Sequence, residues 1–134
     1  MFKNQFGIIL ATLVLMNVFI TSAWAGCTQA NAAGHWNVYV DGKDGWAFCP
    51  MNINAAGVIA AGSRCTDSNG AYRTVLAGSK ITVKPSCVAS ARVALSGGLV
   101  TIFSHMTFTR NKFQFSGLGS DNLGGTFTYT GIKL

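Results

Sequence analysis

The sequence predicts an all-β fold, an antiparallel meander of about eight or nine short strands forming a small barrel or two-layer sandwich stapled by disulfides. Three observations carry this. Sixteen glycines and only two prolines are spread through 134 residues that contain no glutamate, a composition poor in strong helix formers. Clusters of Gly, Asn, Asp and Ser recur about every ten residues, the spacing of turns between short strands. Four cysteines, an even number, fall in what reads as a small exported domain. With 49% hydrophobic against 10% charged residues, the chain is excluded from the disordered class.

Residues 1–25 read as a secretory signal peptide. Lys3 supplies the positive start, residues 6–20 the apolar stretch, and Ala23-Trp24-Ala25 a small-residue cleavage site before Gly26. The apolar run, about 15 residues, is shorter than the roughly 20 needed to span a bilayer. An uncleaved anchor and an acylated Cys27 are the competing readings. Trp24 opposes the second, because it stands where a lipidation signal carries an aliphatic residue. Residues 26–134 then form a single β domain, expected in the periplasm or secreted. Loss of Lys3 leaves nine basic against four acidic residues, a formal +5.

Cys27, Cys49, Cys65 and Cys87 are spaced 22, 16 and 22 residues apart, without a Cys-x-x-Cys pair and with both histidines far from ligand spacing. That pattern predicts two structural disulfides and no metal. Three connectivities are open. The turn at Asn54-Ala55-Ala56-Gly57 favours Cys49 with Cys65, which leaves Cys27 to tie the N-terminus to Cys87.

Along the domain, Trp36, Val38 and Val40 share one face of the first strand and Tyr39 the other, beside Asn37. The turn 41–45 separates it from a second strand holding Trp46 and Phe48. Further turns are expected at 54–57, 67–70, 77–79, 84–86, 96–98, 110–112 and 120–125. Ile81 and Val83 point inward while Lys80, Thr82 and Lys84 point outward. Cys87, Ala89, Ala91, Val93 and Leu95 continue the inward face. Val100, Ile102, Met106 and Phe108 are assigned to a common inward face, as are Phe113 with Phe115 and Phe127 with Tyr129.

Catalytic constellations are scarce. All four carboxylates, Asp41, Asp44, Asp67 and Asp121, fall in turn signals, which disfavours paired-carboxylate hydrolysis. His35 adjoins Trp36, and His105 falls on an outward face. Ser120 and Asp121 sit in a glycine-rich stretch, 117–125, read as a flexible loop or hairpin with no nucleophile elbow. Asp67-Ser68-Asn69-Gly70 resembles the start of a calcium loop but lacks the closing bidentate acid, so an Asx-type hairpin turn is expected. No catalytic residue, metal or cofactor is assigned.

Binding residues are easier to nominate. If the hairpin at Lys84-Pro85-Ser86 keeps its apolar faces together, Ile81 lies opposite Ala91 and Val83 opposite Ala89. Lys80 then faces Arg92, with Lys84 on the same outer face, a candidate anion patch. Tyr39 and Trp46 are candidates for an aromatic platform able to stack on sugars. The basic excess of an exported chain points to an anionic envelope polymer, an acidic protein or peripheral membrane contact, and not to nucleic acid.

The run from Cys49-Pro-Met-Asn-Ile-Asn to Arg-Cys65-Thr-Asp-Ser-Asn-Gly70, with Cys87, Phe115-Ser-Gly117-Leu-Gly119 and Ile132-Lys133, resembles small exported β-rich proteins of Gram-negative bacteria. The resemblance implies an exported β fold and transfers no activity. The expected function is a non-catalytic binding or interaction module of the bacterial envelope. The alternatives are a lipid-anchored or outer-membrane-associated structural component, and a small hydrolase or enzyme inhibitor.

Overall fold

The computed structural model describes residues 26–134, and the signal-peptide reading of residues 1–25 lies outside them. Nine strands follow in chain order: β1 Gly34–Gly42, β2 Gly45–Ile53, β3 Arg64–Asp67, β4 Tyr72–Thr74, β5 Lys80–Val83, β6 Val88–Leu95, β7 Leu99–Phe108, β8 Gln114–Asp121 and β9 Thr126–Lys133. All neighbours are antiparallel, in the order β4-β3-β2-β1-β9-β8-β7-β6-β5. The first and last strands pair, and the two ends of the order, β4 and β5, are consecutive in the chain.

That coincidence closes the barrel. Val75, just beyond β4, donates its N–H to Ser63 O at 2.8 Å on one side and bridges Leu95 of β6 on the other. β4 and β5 therefore act as one bent strand that changes partner at Val75. Nearer the opposite end, residues 57–60 fill the remaining gap: Ile59 bridges Ile53 of β2 and Val58 bridges Lys80 of β5. The result is a barrel of eight effective walls, a number at which the interior is filled by side chains or holds one small ligand. Closure selects the barrel over the sandwich.

The two ends of the barrel differ. A single turn of 3-10 helix, Gln29–Ala32, plugs one of them. The Gln29 amide donates to Ile81 O at 3.1 Å and accepts from Val83 N at 3.0 Å, which docks the plug on β5. The Trp36 indole N–H donates to Ala32 O at 2.8 Å, so the largest buried side chain holds the plug from beneath. The disulfide Cys27–Cys87 fixes the plug to the turn before β6, and Cys49–Cys65 joins β2 to β3. This is the connectivity to which the turn at 54–57 pointed.

The inward faces of β1, β5, β6 and β9 are as the alternation predicted, and Lys80 stands opposite Arg92. Three expectations need correction. Val100 and Ile102 fall on the outer face while Leu99, Thr101 and Phe103 face inward, because β7 carries a bulge between Ser104 and Thr107 at which His105 adopts a left-handed φ of 49°. The extra residue reverses the parity, so Met106 and Phe108 point inward on the far side of the bulge. Phe113 is exposed, since β8 begins one residue later, and only Phe115 enters the core. Cys87 lies in the turn before β6 with a φ of 65° and is not part of that strand's inward face.

Of the two readings of 117–125, a flexible loop or a hairpin, the hairpin is present: β8 runs through Gly117 and Gly119 to Asp121, and the turn after it leads into β9. Three glycines sit under aromatic rings of the neighbouring strand: Gly117 opposite Tyr129, Gly119 opposite Phe127, and Gly131 opposite Phe115. A Cβ at Gly131 would collide with the Phe115 ring, so the wall bends there and the ring covers the bare backbone. Gly131→Val is expected to destabilise the barrel by about 2 to 3 kcal/mol through overpacking. A chemical-denaturation midpoint unchanged from the parent would contradict it.

Candidate binding site at the mouth of the barrel

Most of the inward aromatic rings gather toward the plugged end. Near the plug stand Trp36, Met51, Met106, Phe108 and Phe115, all buried. Rings pack continuously there, with Trp36 and Phe115 at 4.7 Å and Phe108 and Phe115 at 5.6 Å between centroids. Tyr129 continues the stack toward Phe103 at 4.7 Å, and its hydroxyl donates to Ser104 O at 2.9 Å. Burial pushes the Tyr129 phenol well above its ordinary range, so it remains a neutral donor. Beyond Phe103 the inward positions on β6 and β7 are aliphatic or threonine, Val93, Leu95, Leu99 and Thr101, and no ring fills the space between them and the opening.

What remains is a cavity of about 550 Å³, open at the mouth. Val40, Ala47, Leu99, Thr101, Phe103 and Phe127 line its wall and floor, together with the Cys49–Cys65 disulfide. The volume is within the roughly 300 to 1,000 Å³ of small-molecule pockets, with apolar side chains on the wall and floor and polar ones at the rim. Hairpins form the rim and bring Lys43, Asp44, Asp67, Arg73 and Asp121 around it. Asp67 Oδ1 accepts from Asn69 N at 2.9 Å and Ala71 N at 3.0 Å, and Asp121 Oδ1 accepts from Leu123 N and Gly125 N, both at 2.8 Å. Both carboxylates are thus turn-forming, and the stretch at Asp67 is an Asx turn. The Arg73 guanidinium donates to Ser96 O at 2.9 Å, tying the β3–β4 hairpin to the β6–β7 turn across the seam.

Of the residues nominated from the sequence, Trp46 and the Cys49–Cys65 bridge reach this cavity and the rest lie elsewhere. Lys80, Lys84 and Arg92 are exposed on the outer wall. Tyr39 and Trp46 also face outward, 48% and 55% exposed, and Tyr39 packs on Phe48 with centroids 5.2 Å apart. The two flank a shallower depression of about 230 Å³ shared with Thr128 and Thr130, and Trp46 in addition reaches the mouth rim. His35 and His105 are exposed on different strands, β1 and β7. Sequence reasoning missed the cavity wall. Its signal was present as the small inward residues Ala47 and Thr101 close to hairpins, but their meaning depends on which large side chains lie across the barrel.

The fold and cavity define a small disulfide-stapled β-barrel, plugged at one end and open at the other. No protein-family model matches the chain, and no curated protein matches it. Among solved structures it is similar to a redesigned beta barrel, mFAP1, bound to DFHBI, with 18% identity, 79% of this chain and 98% of that one covered, and a TM-score of 0.65. It is also similar to a de novo designed fluorescence-activating beta barrel, with 12% identity, 76% and 93% coverage and a TM-score of 0.61. A third, the redesigned barrel mFAP0 bound to DFHBI, has 17% identity, 77% and 99% coverage and a TM-score of 0.61. At these identities the likeness is one of fold.

Proposed function

We propose that this protein is an exported, non-catalytic binding module of the bacterial envelope that holds one small, mainly apolar molecule in the mouth of its barrel. The observation that carries the reading is the 550 Å³ cavity, open at one end, with an apolar floor below a polar rim. Two redesigned barrels of similar fold are bound to DFHBI, which supports small-molecule binding by a barrel of this shape. Export is supported by the two disulfides, which persist in oxidising compartments such as the periplasm or the extracellular space. Apolar side chains face the interior while Lys80, Thr82, Ser90 and Arg92 face outward, the reverse of a barrel whose outer wall meets lipid tails.

Nile red, an uncharged dye that brightens in apolar surroundings, is the test probe. The oxidised protein is expected to bind one equivalent saturably. Ala47→Trp and Leu99→Trp each place an indole in the cavity and should weaken binding roughly tenfold or more, about 1.4 kcal/mol. Thr82→Trp, on the outer wall, should leave it unchanged. Equal binding by parent and filled variants, or none by the parent, would overturn the reading.

A further inference from the structure

Charge is sorted by position in this barrel. Asp41, Asp44, Asp67 and Asp121 all lie in or beside the hairpins at the mouth. β5, β6, the turn between them, β7 and the 57–60 segment contain no acidic residue, yet they present Lys80, Lys84 and Arg92. Strand register organises these cations. Val58 lies opposite Lys80, Lys80 opposite Arg92, and Arg92 opposite Ile102, an outward row that crosses four segments of chain. Nearer the plugged end Lys84 stands beside Val88, its N–H donating to Val88 O at 2.9 Å.

Two properties of this row matter together. Lys80 and Arg92 are like charges on directly opposed residues, a pairing that weakens a sheet, and the apolar parity of the hairpin does not require it. Val58, Val88 and Ile102, 44%, 39% and 40% exposed, surround the cations with aliphatic side chains. A soluble anionic polymer would use the charges and leave the aliphatics in water. A lipid surface uses both, because headgroup phosphates meet the cations while short aliphatic side chains enter the interfacial layer.

We propose that the outer wall of β5 and β6 is a docking face for an anionic lipid surface, with Lys80, Lys84 and Arg92 as the headgroup contacts and Val58, Val88 and Ile102 as the apolar contacts. Docked this way, the barrel keeps its mouth, where the carboxylates lie together with Lys43 and Arg73, away from the surface and unobstructed.

The test is flotation of the oxidised protein with vesicles of phosphatidylcholine alone or mixed with phosphatidylglycerol. Binding is expected to the mixed vesicles only and to fall as salt is raised. Each cation near such a surface contributes about a fivefold factor, so Lys80→Ser with Arg92→Ser should lower partitioning by roughly 25-fold. The melting temperature of that variant should be equal to or above the parent's, since the repulsive pair is gone. Lys43→Ser with Arg64→Ser removes the same net charge away from this wall and should stay within about twofold of the parent, because charges off the docking face are screened. Val58→Ser with Ile102→Ser should weaken the binding that remains at high salt. Equal partitioning of parent and wall variant, or an equal loss in the control variant, overturns the proposal. Salt-sensitive retention on immobilised heparin without vesicle binding also overturns it and assigns the wall to a soluble polyanion.

Discussion

Reducing both disulfides is expected to unfold the barrel at ordinary temperature. Cys27–Cys87 joins residues 60 apart and Cys49–Cys65 residues 16 apart. Loop-closure entropy assigns them about 4 and about 3 kcal/mol, respectively. Together that is comparable with the roughly 5 to 15 kcal/mol that separates a domain of this size from its unfolded state. The bridges also sit where the ladder is thinnest. β2 and β3 share only the pairs Ala47–Asp67 and Phe48–Thr66, so Cys49–Cys65 is the main tie across that part of the wall. The plug rests on a few side-chain hydrogen bonds and on the backbone bond from Cys27 N to Pro85 O at 3.1 Å. Thermal unfolding followed by far-UV circular dichroism, with and without reductant, checks this. The expected shift is tens of degrees, and Cys27→Ser with Cys87→Ser should lose more than Cys49→Ser with Cys65→Ser. A shift of only a few degrees would show that the strand ladder alone carries the fold.

Trp36→Ala should lower stability by about 4 kcal/mol, the usual range for emptying a large aromatic site in a core. Trp36 is 1% exposed, packs edge-on to Phe108 at 5.9 Å and tilted against Phe115 at 4.7 Å, and supports the plug through its indole N–H. The Lys133 ammonium lies over its ring at 5.4 Å. Removing the indole leaves a void at the plugged end and Ala32 O without its donor, two separate penalties. Trp36→Phe isolates the second, retains most of the packing, and should lose only about 1 to 2 kcal/mol. Urea denaturation of the three proteins gives both values. Equal losses for the two substitutions would mean that the hydrogen bond, and not the packing, seals this end.

The parts of the fold legible in the sequence are those governed by neighbours in the chain. In the β5–β6 hairpin, strict alternation of Ile81, Val83, Ala89 and Ala91 leaves one register that keeps all four inside, and that register is present. The Asn54 turn brings its flanking segments together over a short loop, which made the Cys49–Cys65 pairing readable. Its Oδ1 accepts from Ala56 N at 3.0 Å and Val58 N at 2.9 Å. By contrast, the β7 bulge was invisible. It depends on a single non-glycine residue, His105, taking the left-handed region inside a strand, which few residues of any type do, and that one residue is enough to exchange Ile102 and Phe103 between wall and core. The cavity was equally hidden, since Ala47 and Thr101 report a void only when Phe103 and Phe127 are known to floor it.

By itself, the sequence determined that the domain is all-β, that it is stapled by two disulfides, that Trp36 is core and that Lys80 faces Arg92. Alternation, turn chemistry and cysteine count act over a few residues or on the chain as a whole, so they need no knowledge of distant contacts. Only the tertiary structure decided that the sheet closes into a barrel instead of folding into two layers. Closure rests on Val75 reaching both Ser63 and Leu95, and on residues 57–60 lying between β2 and β5. These bonds join segments with no pattern in common, and their formation is set by the accumulated twist and bend of all the strands between them. The same closure leaves one end plugged by Trp36 and the 3-10 turn and the other end open, because the Trp36, Phe108 and Phe115 rings pack against one another at the plugged end and no comparable stack reaches the mouth.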